Sequence, residues 1–240
     1  MKKIFLASFL LLSIVELKAQ KDSGTITYQI ANIDFIDKGE HVDVTAVMLM
    51  AKKQQYQLNF NKSYSSFTMI ESMKDEAYSA FHNKMAKIYV SVYDYYFDYR
   101  NKQLIEQDNQ GALLVQKLKE LPWEITSESK MIDHYQCFKA TYTFEYLARD
   151  QKMKTNSIVA WFAPSLPYAY GPKNYHGLPG LILELTDRTV TFLVSKIEFS
   201  DLSVEIKLPT GKRIPKEQFK RLSSKIKSSI RNSHYLHKSL

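Results

Sequence analysis

The sequence is poor in cysteine, glycine and proline: its 240 residues include one cysteine, seven glycines and seven prolines. A chain with one cysteine forms no internal disulfide, so its stability must come from a packed hydrophobic core. That residue, Cys137, stands in an alternating run with Tyr135, which is typical of a strand. The setting favours a buried thiol that packs as a small apolar side chain over a reactive one.

Long hydrophobic runs are also scarce. The run Ile4–Val15 is interrupted by two serines and is shorter than the roughly 20 residues that span a bilayer. Because it follows Lys2 and Lys3 and ends shortly before Ala19, residues 1–19 are typical of a cleavable secretory signal peptide, with an uncleaved membrane anchor as the alternative. No cysteine directly follows Ala19, so we do not expect a lipoprotein. We expect an exported protein, in the periplasm or at the periplasmic face of the outer membrane.

The common catalytic motifs are missing. The chain contains no G-x-S-x-G, H-E-x-x-H or glycine-rich phosphate motif, which are signatures of hydrolases and nucleotide-binding sites. Of its six histidines, only His234 and His237 lie close enough in sequence to share a metal ion, and two ligands alone make a weak site. His176 is a candidate for chemistry, with a turn histidine that binds backbone as the alternative. These absences favour a binding protein with no cofactor and no metal, and leave an enzyme of unrecognised type as the alternative.

Apolar and polar residues alternate over much of the chain, which is typical of half-buried strands. The pattern predicts strands at residues 24–30, 41–50, 54–60, 64–70, 87–93, 103–107, 113–118, 135–146, 155–162, 181–185 and 189–199. Short polar joins such as residues 61–63 favour hairpins, because parallel crossovers need a dozen or more residues. The predicted fold is mainly β: a curved antiparallel sheet or incomplete barrel with a C-terminal amphipathic helix. An α+β fold is the alternative.

The centre of the chain is rich in aromatic residues, namely Tyr89, Tyr93, Tyr95, Tyr96, Phe97 and Tyr99. A tyrosine-rich face of a sheet can bind sugars, peptides or lipid. The alternative is that these tyrosines only pack their rings against a pleated surface and leave their hydroxyls in water. The sequence favours this second interpretation.

Basic residues are concentrated at the C-terminus. Residues 207–240 contain ten Lys or Arg and one acid, Glu217. Pro215 suits the first position of a helix, and an apolar stripe follows at helical spacing: Phe219, Leu222, Ile226 and Ile230. The stripe is surrounded by Lys220, Arg221, Lys225, Lys227 and Arg231. We expect a β-rich domain over 20–206 and a basic helical segment over 207–240 that packs on it. Peripheral contact of these basic residues with a membrane or an acidic partner is the alternative, and no nucleic-acid partner is expected.

Turn-forming residues are concentrated between residues 160 and 185, where four of the seven prolines and three of the seven glycines occur. This stretch contains the hexapeptide Gly177-Leu178-Pro179-Gly180-Leu181-Ile182, and an apolar strand leaves it directly. On these residues the chain resembles the GLPGLI family. The resemblance extends to Trp123, the run 130–140 with Cys137, Trp161, and Gly171-Pro172.

The resemblance implies an exported Bacteroidota protein of unknown function with no assigned catalytic residues, so no active site can be carried over. We interpret the signature residues as determinants of the fold: Trp161, Gly171, Pro172, Gly177, Leu178, Pro179, Gly180, Leu181 and Ile182. A likeness at fold level to envelope carriers of the lipoprotein-chaperone type suggests an apolar ligand, such as a lipid, a lipoprotein or a peptide. The alternative is an accessory interaction subunit of an outer-membrane system that docks through its basic C-terminal helix.

Overall fold

The computed structural model describes residues 21–34, 43–71, 80–148 and 152–223. Across these ranges the chain forms twelve strands and two helices, and residues 216–223 are also helical. In chain order the elements are β1 (Ser23–Ile33), α1 (Val44–Lys53), β2 (Gln55–Phe60), β3 (Tyr64–Met69), α2 (Ala80–Val90), β4 (Tyr93–Asp98), β5 (Gln103–Asp108), β6 (Leu113–Lys117), β7 (Glu124–Ile132), β8 (Tyr135–Leu147), β9 (Met153–Ala163), β10 (Leu181–Asp187), β11 (Val190–Ser200) and β12 (Arg213–Pro215). The predicted signal peptide over 1–19 lies outside the described residues.

All twelve strands belong to one sheet, in the order β12-β6-β5-β4-β3-β2-β1-β11-β10-β9-β8-β7. Neighbouring strands pair in antiparallel fashion, except β12, which pairs in parallel with β6. In the described part of the chain β12 and β7 each pair on one side only, so the sheet is open. The prediction of a mainly β, open antiparallel sheet is confirmed.

The sheet is strongly curved, as two contacts show: strands that are far apart in the sheet order both lie against residue His176. The His176 ring lies 5.3 Å from the ring of Phe97 on β4, and the His176 carbonyl accepts a hydrogen bond from Trp123, which directly precedes β7. In the sheet order β4 and β7 are eight strand spacings apart, which would be about 38 Å in a flat sheet. The sheet therefore curls around this segment and has a concave face.

The concave face is lined by large aromatic side chains. Tyr56 stacks on Phe67 with ring centroids 5.2 Å apart, and Phe192 contacts both edge-on at 5.4 and 5.7 Å. The Tyr28 hydroxyl is buried and donates to the Ile182 carbonyl at 2.7 Å. Burial raises the pKa of both Tyr28 and Tyr56 well above that of a free tyrosine. Such edge and stacked pairs contribute about 0.5–1.5 kcal/mol each beyond the buried area.

Two predicted strands are helices. Residues 44–50 of the predicted strand 41–50 belong to α1 instead. The helix is capped by the Asp43 carboxylate, which accepts from the Ala46 N–H at 3.0 Å. Residues 41 and 42 lie outside the described part. The buried positions Ala46, Val47, Met50 and Ala51 have helical spacing, which an alternating pattern partly mimics. Likewise, most of the predicted strand 87–93 belongs to α2.

Three strands escaped the sequence analysis: β4, β7 and β12. β7 is polar along most of its length and forms an edge of the sheet. Most of its residues are exposed on both faces of the sheet, so β7 carries little alternation of apolar and polar residues.

The C-terminal segment joins the sheet before its helix begins. β12 lies beside β6, and residues 216–223 follow as a helix on which Phe219 and Leu222 are 38% and 50% exposed. The rest of the predicted helix, with Lys225, Lys227 and Arg231, lies outside the described residues. No helix within the described ranges is long and apolar enough to cross a membrane.

Candidate functional site

The concave face is filled by the chain itself. Residues 164–180, here called the signature segment, run across it and bury Leu166, Tyr168, Tyr175 and Leu178. The segment is tied to β10 by two backbone hydrogen bonds, from the Leu181 N–H to the Leu166 carbonyl at 2.8 Å and from the Ile182 N–H to the Tyr170 carbonyl at 3.1 Å. The chain thus covers the apolar rings of its own sheet.

The signature glycines occupy positions where a side chain has no room or the wrong backbone. Gly177 has φ of +90°, which favours glycine. A Cβ on Gly180 would lie 2.3 Å from the Ala163 carbonyl oxygen, and one on Gly171 would lie 2.5 Å from Ile182 Cδ1. These contacts are closer than a Cβ tolerates, so Gly180 permits close packing against backbone and Gly171 permits close packing against the Ile182 side chain.

The apolar and proline residues of the signature have different surroundings. Leu178, Leu181 and Ile182 are 1%, 0% and 0% exposed. These three residues belong to the hydrophobic core. Pro172 is buried, whereas Pro179 is exposed in a bend at the surface.

Trp161 lies on the convex face of the sheet, apart from the rest of the signature. Lys130 places its ammonium group 4.4 Å from the centre of the Trp161 ring and 2.7 Å from the Glu184 carboxylate. Cys137, paired with Lys130 across β7 and β8, is a buried free thiol. Burial raises the pKa of the Cys137 thiol to about 11, so it is protonated at neutral pH, as expected for a packing residue.

A buried ion pair connects the signature segment to β10. Lys173 Nζ lies 2.8 Å from the Asp187 carboxylate, and these side chains are only 12% and 14% exposed. Asn156 donates to the same carboxylate at 3.4 Å. Burial alone would raise the pKa of Asp187, but the charges of Lys173 and Arg188 and the hydrogen bonds from Lys173 and Asn156 together outweigh it and hold the pKa below its usual value.

A second buried ion pair connects the C-terminal segment to the sheet. Glu106 on β5 is 2% exposed, and Lys216 Nζ lies 2.6 Å from its carboxylate. Lys216 follows β12 directly and begins the helix at 216–223. This contact fixes where that helix leaves the sheet.

A continuous row of rings leads from the core to the end of the sheet at which β1 begins and the β2–β3 and β4–β5 turns lie. In order of contact the rings belong to Phe199, Tyr168, Phe60, Tyr170, Tyr99, Phe97 and His176. Neighbouring centroids lie 4.7–5.8 Å apart. The row includes Phe97 and Tyr99 from the aromatic run in the centre of the chain and three residues of the signature segment.

Two adjoining hollows open at that end of the sheet, and together we call them the end cleft. The outer hollow, of about 420 Å³, is lined by residues 21–23, 61–64, 100, 200, 201 and 203. The inner hollow, of about 280 Å³, is lined by Asp22, Lys62, Phe60, Tyr99, residues 167–170 and His176. Asp22 and Lys62 belong to both hollows. The outer volume lies within the range of ligand sites, about 300–1,000 Å³.

The loops of the end cleft are held in place by hydrogen bonds between side chains and backbone groups. The Asn61 side chain accepts from the N–H groups of Ser63 and Tyr64, both at 2.9 Å, and donates to the Val204 carbonyl at 2.8 Å. The Ser23 hydroxyl accepts from the Val204 N–H at 2.7 Å. The cleft is therefore preformed in the folded chain.

His176 is the histidine singled out from the sequence, and it lines the inner hollow. Burial lowers its pKa, although a hydrogen bond with the Lys119 backbone acts in the opposite direction. That backbone contact fits the turn-histidine interpretation. No group of three or more His, Cys, Asp or Glu residues in the described ranges is arranged to hold a metal ion, and His234 and His237 lie outside those ranges.

The sequence analysis missed most of the end cleft. Its residues come from five separate parts of the chain, at the ends of strands and in hairpin turns. The available signals were Tyr99, His176 and the polar join at 61–63. None of them indicates by itself which other loops are close to it.

Comparison with known proteins gives one family match. Residues 148–184 match the model of a family described as a protein of unknown function, Porph_ging. The match includes β9 and the hexapeptide Gly177–Ile182, and the description gives no activity. The wider resemblance to the GLPGLI family stays a prediction. No curated protein matches the chain.

Solved structures give weak likenesses only. Two crystal structures of PNGF-II are each 15% identical to this chain, with TM-scores of 0.45 and 0.46, and the alignments cover 75% and 80% of this chain. They cover 28% and 32% of the PNGF-II chains, so this chain spans about a third of their length. The structure of LprF from Mycobacterium bovis is 9% identical with a TM-score of 0.24, and the alignment covers 81% of this chain and 91% of that one. At these TM-scores the likenesses carry no functional argument.

Proposed function

We propose that this chain is an exported, non-enzymatic protein of the cell envelope that binds a ligand in the end cleft. The observation that supports the cleft as the binding surface is the filled concave face. A lipid or lipoprotein chain on that face would have to displace the signature segment, which includes buried Tyr168, Tyr175 and Leu178. The predicted signal peptide over 1–19 supports the location in the envelope.

The end cleft offers what the concave face does not: open volume next to aromatic rings and unburied polar groups. Arg100 lies 5.3 Å from the centre of the Tyr64 ring at the mouth of the outer hollow. The same geometry recurs at the far end of the sheet, where Arg188 lies 5.3 Å from the centre of the Tyr146 ring. These two pairs give a test site and a matched control.

Tyr64→Ala is expected to abolish stabilisation of the protein by its ligand. Envelope extract would be separated into lipid, peptide and oligosaccharide fractions, and each fraction added during thermal unfolding of the purified protein. A ligand present at 100 times its Kd stabilises the folded state by about 2.7 kcal/mol, which is about 5–10 °C in a protein of this size. At least one fraction should raise the Tm of the wild type and of Tyr146→Ala, but not that of Tyr64→Ala.

Two results would contradict the proposal. If no fraction raises the Tm, the protein is not a binding module for a soluble envelope ligand. If the lipid fraction raises the Tm of Tyr64→Ala as much as that of the wild type, the apolar ligand on the concave face is correct and the end cleft is not the site.

A second candidate function is docking to an acidic envelope partner through the C-terminal helix. On residues 216–223 the apolar Phe219 and Leu222 face solvent, at 38% and 50% exposure. The basic residues Lys220 and Arg221 are exposed beside them. An apolar pair rimmed by positive charge suits a partner surface with an apolar centre and an acidic rim.

The double variant Phe219→Ser/Leu222→Ser is expected to lose partner proteins that co-purify with the wild type. The reason is that a few residues near the centre of an interface, which are exposed in the free protein and buried in the complex, contribute most of the binding energy. Recovery of each co-purifying protein would be measured by quantitative mass spectrometry and should fall at least tenfold. Leu202→Ser is the matched control, since Leu202 is 81% exposed and outside the helix. Equal recovery from both variants would rule the docking role out.

A further inference from the structure

We propose that the end cleft binds a neutral oligosaccharide, an inference that rests on the proposed function and names the ligand class. A sugar ring presents apolar C–H groups on its faces and hydroxyls around its edge. A complementary site therefore needs aromatic rings to stack on those faces and mixed donors and acceptors at the edge. The two hollows of the end cleft supply these two requirements side by side.

The outer hollow supplies the donors and acceptors. All of its lining residues are polar or charged, and four of them are serines. The Ser63 hydroxyl accepts a hydrogen bond from Arg100 Nε at 2.8 Å, and the Ser200 hydroxyl accepts from the Leu202 N–H at 3.1 Å. Because a hydroxyl has one donor and two acceptor sites, each retains an O–H that can donate to a ligand.

The charges of the outer hollow largely cancel. Lys62 lies 2.6 Å from the Asp22 carboxylate, and Lys21 lies 3.0 Å from the Asp201 carboxylate. With Arg100 the hollow carries three positive and two negative charges. Paired charges still hydrogen-bond to hydroxyls but exert little net attraction on an ion, so the site suits an uncharged ligand.

The aromatic rings are at the mouth and the floor of the same cleft. Tyr64 lines the outer hollow, Tyr99 and Tyr170 line the inner one, and all three are half-buried. Phe60 and Tyr168 also line the inner hollow but are 0% and 8% exposed, so they support the accessible rings and do not themselves stack on a ligand. The Tyr168 and Tyr170 rings are 5.0 and 4.7 Å from the ring of Phe60. The row of contacts fixes the rings before a ligand arrives, which lowers the entropic cost of binding.

The other two ligand classes fit this cleft less well. An extended peptide binds a sheet by pairing with an exposed strand edge. The long edge strand of this sheet is β7, whereas the cleft lies at the ends of inner strands. The cleft therefore offers a peptide no strand edge to pair with. A lipid chain requires a predominantly apolar wall, which the outer hollow lacks. Oligosaccharide is the class that both hollows suit.

The test is binding of the purified protein to an array of oligosaccharides of three to six sugars in neutral, sialylated and sulfated forms, followed by calorimetry on the best neutral ligand. Tyr64→Ala should weaken binding at least tenfold, Tyr64→Phe should retain it within threefold because the ring is kept, and Tyr146→Ala should leave it unchanged. Because the ligand is uncharged, Kd should change less than twofold between about 0.05 and 0.5 M salt.

The outcomes separate this inference from the proposed function. Binding only to sialylated or sulfated forms, or a strong salt dependence, would overturn the neutral-ligand inference. If the array shows no binding while the peptide or lipid fraction raises the Tm in a Tyr64-dependent way, the cleft is a binding site but not one for oligosaccharides. If neither the array nor any envelope fraction binds, both proposals fail.

Discussion

Gly180→Ala is expected to destabilise the protein by about 3 kcal/mol or more, or to prevent folding, because overpacking against immobile atoms is costly. The new Cβ would lie 2.3 Å from the Ala163 carbonyl oxygen, 2.6 Å from the Ala163 carbonyl carbon and 2.9 Å from the Pro164 nitrogen. All three are backbone atoms at the end of β9, so no side chain can rotate away. The measurement is urea unfolding, with far-UV circular dichroism and the soluble yield if the variant does not fold.

Gly177→Ala and Gly111→Ala separate close contact from backbone strain. Both positions have positive φ, +90° and +84°, and at neither would the alanine methyl group meet another atom within 4 Å. Each should therefore cost only about 1–2 kcal/mol, the cost of placing alanine in the left-handed region. Equal effects of all three variants would show that the hexapeptide does not act through close packing at Gly180.

The fold was predictable to the extent that single strands carry their own pattern. β1 and β2 match their predicted ranges closely because one face of each is largely buried and the other is partly solvated. α1 was mistaken for a strand, since an alternating run of apolar residues also satisfies a short helix with four buried positions. β7 was missed because most of its residues are exposed on both faces of the sheet. Nine of the eleven strand pairings join strands that are consecutive in the chain, as the predicted hairpin arrangement favours. Only β1 with β11 and β12 with β6 are long-range pairings, which no local pattern encodes.

The candidate site was less predictable than the fold. The hexapeptide stood out in the sequence. Its role in close packing could be inferred only from the positions of Ala163 and Pro164, which the folded chain brings next to Gly180. The tyrosine-rich run indicated that Tyr99 was of interest without showing that it meets Tyr170 at 5.7 Å. Each loop contributes only a few residues to the end cleft, so the site can be recognised only when the folded structure brings the loops together.

Lys216→Met is expected to destabilise the protein by about 3 kcal/mol and to release the C-terminal segment from the sheet. The reason is that Glu106 is 2% exposed and its carboxylate would lose the ammonium group 2.6 Å away. Removing one partner of a buried ion pair leaves an uncompensated charge and typically costs 3–5 kcal/mol. Lys216 itself is 21% exposed, which places the expected cost at the lower end because some water reaches the pair.

The double variant Glu106→Gln/Lys216→Met isolates the charge from the packing. It removes both charges, so it should recover more than half of the stability lost in Lys216→Met. Urea unfolding would measure the free energies, and limited trypsin digestion would report release of the segment, because Lys207 and Lys212 are exposed just before β12. Cleavage there should be faster in Lys216→Met than in the wild type or the double variant. Similar cleavage and stability in all three proteins would mean that β12 is held by its pairing with β6 alone, and that the buried ion pair does not determine how the C-terminal helix is presented.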